Sequence, residues 1–542
     1  MAASWETIAA KKRQALADSI PQEWRIPADV MPPESQDDVT GFPEASGWFT
    51  PEELAITSAT VAELLPKLAA GQLSSEAVTR AFCKRAAAAH QLTNCLSETL
   101  FDTAITTAKS LDAHLAETGK PIGPLHGLPI SLKDNFNLKG LDSTVGFTSH
   151  VGNPATYDAV LAELLREAGA VFYVKTNVPT AMMIAESVNN TFGRTVSPQN
   201  RKCTSGGSSG GESALIAFKG SPIGVGTDIG GSLRIPAACT GIFTLKASFG
   251  RFPTLRCRSG MPGQEAVASI NGPMARTLED IELYSRAVVG AEPWRKDPRA
   301  LPIPWRAASL GPKLKIGVMW DDGMAFPTPP VTRALREAVD KLSAAGHEIV
   351  EWSSEHQHEG LQLLGRMFVA DGGEAIRNEL ERTGEPWRPE MELYSTATSL
   401  SGLQYWQLHA ERQDYQKKYL DRWLAAGIDV LLCPTTPFSS VENGKFKHVG
   451  YTGVYNVLDY ACISFPTGTR VDQAVDVAQD LSTYEPLSPL DKEIQEEYNP
   501  AAVHGLMVNL QLVAQRLEEE KCVEMCKVVL QALGQGAPGT NL

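Results

Sequence analysis

No stretch of the 542 residues approaches the roughly 20 apolar residues that a membrane-spanning helix needs. The N-terminal run Ser4-Trp5-Glu6-Thr7-Ile8-Ala9-Ala10-Lys11-Lys12 is charged where a secretory leader needs an apolar core. The last residues, Gly539-Thr540-Asn541-Leu542, carry no recognised address. A soluble, cytoplasmic chain that engages no membrane is the expectation. Positive charge is also in short supply: 49 Lys and Arg stand against 63 Asp and Glu, a net charge of −14, which argues against affinity for the phosphates of nucleic acid. The nine cysteines are odd in number and scattered, unlike the dense, even framework of a small secreted domain, and fit a reducing compartment. Metal-ligand spacing is missing too. His-Glu-x-x-His does not occur, His356-x-His358 has no third ligand nearby, and Cys522 and Cys526, one helical turn apart without a second pair, fit a helix face. Neither a catalytic metal nor a cofactor is expected.

What is present is an ordinary globular mix, 43% hydrophobic and 21% charged, able to bury a core. Residues 5–18 read as a short amphipathic helix, followed by a Pro-rich arm from Pro21 to Pro51. Ser58 or Thr60 can cap one helix, Ser74 and Ser75 the next, and 101–117 continues the period. Apolar runs at 128–132, 170–174, 222–225, 314–319 and 430–433 read as buried strands. Helical stretches lie near 157–168, 277–289, 330–344, 360–382, 402–425 and 516–533. That alternation predicts an α/β fold. Strands flank the 305–312 loop on both sides, which favours one large domain over 51–537, preceded by an N-terminal helix and arm over 1–50.

Glycine and serine concentrate in two segments, Cys203-Thr204-Ser205-Gly206-Gly207-Ser208-Ser209-Gly210-Gly211-Glu212 and Gly224-Val225-Gly226-Thr227-Asp228-Ile229-Gly230-Gly231-Ser232-Leu233-Arg234. Each glycine costs about 0.5–1 kcal/mol in backbone entropy relative to Ala, so something must need the bare backbone. A phosphate cradle lacks its Gly-x-x-x-x-Gly-Lys-Ser/Thr, and Gly224-x-Gly226-x-x-x-Gly230 is one residue too long for a dinucleotide turn. Gly206-Gly207-Ser208-Ser209-Gly210 formally matches a nucleophile elbow, but polar Ser197–Lys202 stands where the preceding apolar strand should be. Plain tight turns explain one glycine pair at a time. Amide hydrolysis uses both segments: it needs a nucleophile, a base, an acid for the departing nitrogen and N–H donors for an oxyanion. Ser232 after Ile229-Gly230-Gly231 supplies the nucleophile and donors, and Ser208 can both give and take a proton. Upstream, Lys133 ends the apolar strand of Leu128-Pro129-Ile130-Ser131-Leu132. It is either ion-paired, with Asp134 adjacent, or kept neutral by desolvation and so a base. His126, between Leu125 and Gly127, is a competing base but reads better as a packed residue.

These three runs resemble the amidase signature family. The N-terminal Trp5-Glu6-x-Ile8-Ala9-Ala10-Lys11-Lys12-Arg13 and Ile20-Pro21-x-Glu23-Trp24 are similar to its fungal acetamidase-type members. The resemblance implies a mixed β-sheet flanked by many helices. It also implies a Ser-cisSer-Lys triad of nucleophile Ser232, bridging Ser208 and base Lys133. Ile229, Gly230, Gly231, Ser232 and Ser208 match the oxyanion-hole and substrate-binding stretch, and Met182 matches an acyl-site residue of fatty-acid-amide hydrolases. Thr227, Asp228 and Arg234 match supporting positions, the last two as an ion pair. The chain departs from the family at Cys239-Thr240-Gly241-Ile242-Phe243 and at Gly505-Leu506-Met507, outside the triad. The implied partner is a small amide, converted to the carboxylic acid and ammonia; oligomeric state, a homodimer included, stays open. The alternatives are a lactam, carbamate or secondary-amide hydrolase, an ammonia-delivering amidotransferase subunit, or a non-catalytic binding protein of the same fold.

Overall fold

In the computed structural model residues 3–535 are described. The terminal Gly539–Leu542 segment and the expected domain end at 537 lie outside them. One mixed sheet of 11 strands organises the chain. Its strands are β1 (Leu96–Thr99), β2 (Pro129–Lys133), β3 (Val171–Thr176), β4 (Ile223–Asp228), β5 (Phe243–Lys246), β6 (Ile270–Ala275), β7 (Lys315–Val318), β8 (Glu348–Glu351), β9 (Val430–Pro434), β10 (Ala461–Arg470) and β11 (Met507–Ala514). The order across the sheet is β1-β3-β2-β4-β6-β5-β10-β11-β9-β7-β8. The central strands β2, β3, β4, β6, β9 and β11 are buried along their whole length, as strands covered by helices on both faces must be.

The flanking helices include α1 (Trp5–Asp18), α2 (Ser75–Thr93), α3 (Gly210–Ala217), α4 (Arg234–Thr240), α5 (Gln357–Phe368), α6 (Gly450–Val457) and α7 (Glu519–Ala532). Thr60 and Ser74 act as N-caps, the Thr60 hydroxyl accepting from Glu63 N–H and that of Ser74 from Ala77 N–H. The single helix expected over 360–382 is two. α5 ends at Phe368, and Gly372 and Gly373, at φ of 69° and 71°, turn the chain before Glu374–Glu381 resumes. Cys522 and Cys526 are buried on α7. The N-terminal arm is tied down: Lys12 pairs with Glu98 and with Asp142 (2.9 Å), and Arg13 donates to Thr191 O (2.8 Å). No helix among the described residues is long and apolar enough to cross a membrane.

Candidate active site

The parallel strands β2 and β4 lie side by side, with Ser131 opposite Gly224 and Leu132 opposite Val225. Their C-terminal ends therefore bring Lys133 next to Thr227. The glycine turn before α3 carries Ser208 to the same place. Lys133 Nζ donates to Ser208 Oγ at 2.7 Å and to Thr227 Oγ1 at 2.8 Å. Lys133 is fully buried, and among the described residues it has no ion pair. Asp134 turns away, accepting from Val145 N–H (2.6 Å) and the Thr144 hydroxyl (3.2 Å). Of the two readings of this lysine, the geometry sides with the unpaired one. Burial pushes its amine down to about 7, against the opposing pull of Asp228, Glu212 and Asp134, so free amine is available near neutral pH. The Gly207–Ser208 peptide is cis.

Glu212, two residues into α3, fixes that helix to the sheet. Its carboxyl accepts from the Ser131 hydroxyl on β2 (2.6 Å) and the Thr176 hydroxyl on β3 (2.9 Å). Burial raises this carboxyl to about 8, only partly offset by those hydroxyls and Lys133.

The turn 229–232 leads from β4 into α4 and is built around a buried ion pair. Arg234 Nε donates to Asp228 Oδ2 and Nη2 to Asp228 Oδ1, both at 3.1 Å; Asn456 Nδ2 adds a third donor at 2.8 Å. Burial alone would raise the Asp228 carboxyl, but the Arg234 guanidinium outweighs it and holds the group at about 2. The same carboxylate accepts from Gly231 N–H (2.9 Å) and Leu233 N–H (3.1 Å). Thus one of the expected oxyanion donors, Gly231, is directed at Asp228. The N–H groups of Ile229, Gly230 and Ser232 have no acceptor among the described residues, and neither has the half-buried Ser232 hydroxyl. Ser209 N–H donates to Ser232 O at 3.2 Å, joining the two serine turns. Arg234→Met would leave Asp228 as a buried charge without its counter-ion, and a loss of about 3–5 kcal/mol is expected. Chemical denaturation should show it as a lower midpoint at unchanged slope.

His126 lies at the far end of β2 from Lys133, 2% exposed, with Nδ1 accepting from Ile122 N–H at 3.2 Å, and is a packed residue outside the cluster. Among the described residues no three His, Cys, Asp or Glu side chains group as a metal would need. Met182 and the preceding Ala181 both have positive φ, 59° and 57°, and Met182 packs in an apolar cluster with Met183, Ile229 and Leu361. A cavity of about 960 Å³ has Met182, Thr227, Asn271 and Arg258 in its wall; Ser208 and Ser232 are not part of that wall. Gly230 faces Phe368 of α5, whose ring lies 3.5 Å from where a β-carbon would stand. Sequence reasoning missed Phe368, Thr452 and Asn456. They reach the site from helices far along the chain and belong to none of the three motifs.

The description "Amidase" fits residues 77–523 of the sequence. The chain belongs to the amidase family. It is 40% identical to an acetamidase of Emericella nidulans over 98% of this chain and 99% of that protein, and 38% identical to an acetamidase of Aspergillus oryzae over the same shares. Among solved structures, a fatty acid amide hydrolase superposes with a TM-score of 0.94 at 34% identity, covering 98% of this amidase and 95% of that chain. The single α/β domain is the amidase fold, and the protein is an amide-hydrolysing enzyme.

Proposed function

We propose that the enzyme converts a monocarboxylic acid amide to the acid and ammonia through an acyl-enzyme on Ser232. The observation that carries this reading is the 2.7 Å contact of Lys133 Nζ with Ser208 Oγ, made by a buried amine with no ion pair among the described residues. A neutral Lys133 takes the Ser208 proton, Ser208 Oγ takes that of Ser232, and Ser232 Oγ attacks the amide carbonyl. The N–H groups of Gly230 and Ser232, with that of Ile229, receive the oxyanion. The relay then runs backward, the proton goes to the departing nitrogen, and ammonia leaves. Water repeats the sequence on the ester and frees the acid.

Beside the nucleophile turn stand Phe368 and Leu364, within 3.9 Å of where a Gly230 β-carbon would lie, so the acyl group this wall suits is apolar. The relatives' names run from acetamidase to fatty acid amide hydrolase. We read the enzyme as cytosolic, a setting that fits nine unpaired cysteines. The test is an ammonia-release screen of the isolated chain against short aliphatic, long aliphatic and aromatic primary amides. Turnover without a partner protein is expected, with kcat/KM higher for longer apolar acyl groups than for acetamide. Silence toward every amide would sink the proposal.

A further inference from the structure

The Gly230–Gly231 peptide is gripped at both ends. Its N–H donates to Asp228 Oδ1 at 2.9 Å, and its carbonyl accepts from Thr452 Oγ1 at 2.8 Å. The next peptide is fixed as well, since Gly231 O accepts from Ile235 N–H at 2.7 Å. Trans peptides point N–H and C=O in opposite directions. With Gly231 O turned toward Ile235, Ser232 N–H points the other way, and with Gly231 N–H taken by Asp228 the N–H groups of the turn left without acceptors among the described residues are those of Ile229, Gly230 and Ser232. Gly231 sits at φ of 133°, and a β-carbon there would come within 2.3 Å of Thr452 Oγ1. The hydroxyl therefore occupies the space that the absent side chain leaves.

Thr452 is itself held firmly. It lies on α6, is 1% exposed, and its other acceptor, Val449 O, is farther away at 3.2 Å. The start of α6 is clamped to the loop after β7. His448 Nε2 meets Asp322 Oδ2 at 2.5 Å, Asp322 Oδ1 accepts from Met324 and Ala325 N–H (3.0 and 2.9 Å), and the Tyr451 hydroxyl donates to Ala325 O (2.6 Å). Farther along α6, Asn456 Oδ1 accepts from Arg234 Nη2 at 2.7 Å while its Nδ2 donates to Asp228. One helix thus touches the turn at its carbonyl and at the carboxylate below it.

Resting on the reading of Ser232 as nucleophile, we propose that Thr452 is a positioning residue: its hydroxyl locks the Gly230–Gly231 peptide and thereby aims the N–H groups of Gly230 and Ser232 at the developing oxyanion. It touches neither substrate nor reacting atoms. Because the effect falls on the charge that develops in the transition state, it belongs to kcat and not to substrate binding.

Thr452→Val keeps the shape and removes the donor. It is expected to lower kcat by about 10- to 100-fold, less than the 10²- to 10³-fold of a donor lost outright, with KM within about threefold of wild type. Labelling of Ser232 by a fluorophosphonate, whose phosphoryl oxygen needs the same donors, should slow in parallel. Thr452→Ser, which restores the hydroxyl, should return both rates to within about threefold. Thr452→Ala repeats the test with no added bulk should the Val variant fold poorly. Wild-type kcat in a folded Val or Ala variant would overturn the proposal, as would a loss confined to KM or an equal loss in a folded Thr452→Ser variant. A wild-type chain that neither turns over amides nor labels at Ser232 would instead overturn the nucleophile assignment.

Discussion

Ser232→Ala is expected to abolish covalent labelling by a fluorophosphonate and to lower kcat on the order of a millionfold, as when other serine nucleophiles that act within a unit are removed. The fold should hardly notice. Among the described residues the Ser232 hydroxyl has no hydrogen-bond partner, so its removal leaves no buried donor or acceptor stranded. The melting temperature should stay within a few degrees of wild type. Ser208 makes the informative contrast, because among the described residues its hydroxyl is one of two groups to which the buried Lys133 Nζ donates. Ser208→Ala should therefore cost both activity and some stability. Retention of active-site labelling in Ser232→Ala would show that the nucleophile lies elsewhere.

Lys133→Arg is expected to be about as damaging as Lys133→Ala, each lowering kcat/KM by some 10²- to 10⁴-fold, the range of a general base. Guanidinium does not deprotonate in proteins, so Arg keeps the charge and loses the base. On the proposed role of Lys133, activity needs its free amine, which burial holds at about 7, so kcat/KM should rise with pH through an acidic limb centred there. The charged neighbours set where the limb falls. Asp228 is neutralised by Arg234, Asp134 is occupied by Val145 N–H, and Glu212 ionises only near 8. Glu212→Gln should consequently move the limb little at its foot and lower it slightly toward its top. Because a relay acts as a unit, Lys133→Ala combined with Ser208→Ala should lose far less than the product of the single losses. A folded Lys133→Arg enzyme with near-normal kcat/KM would leave the relay without its base.

How much of this the sequence disclosed depends on how local each signal was. Five strands stood out as short apolar runs, and all five appear within two or three residues of their expected bounds. β6 escaped because Asn271-Gly272-Pro273 reads as a turn; proline cannot donate to a ladder, yet Pro273 sits opposite Val225 deep in the sheet. β10, with Pro466 and Gly468, hid for the same reason, and a register shift between Pro466 and Arg470 marks the place. α3 and α4 begin inside the glycine turns, where propensity argues against a helix, and tertiary contacts overrule it. Within the site, Lys133, Ser208 and Thr227 were legible because glycine, serine and a strand-end lysine announce themselves. Glu212 was visible as a letter but not as a buried acid bridging three elements. Phe368, Thr452 and Asn456 carried no local pattern, since what makes them matter is a contact with residues more than a hundred positions away.

The order of strands across the sheet also has a meaning in time. Six adjacent strands, β1-β3-β2-β4-β6-β5, come from residues 96–275, and the other five, β10-β11-β9-β7-β8, come from 315–514; the halves join where β5 meets β10. Every member of the Lys133–Ser208–Ser232 set is therefore synthesised in the first half. The groups that brace the 229–232 turn, Thr452, Asn456 and Gln511, leave the ribosome only at the end. Until that second half is made, the β5 edge has no β10 to pair with and Asp228 lacks Asn456. On the reading of Ser232 as nucleophile, a chain that ends before Thr452 is therefore expected to lack hydrolytic activity. The same arrangement makes the 305–312 loop the natural place to divide the gene: each half expressed alone is expected to be inert, and activity to report their reunion.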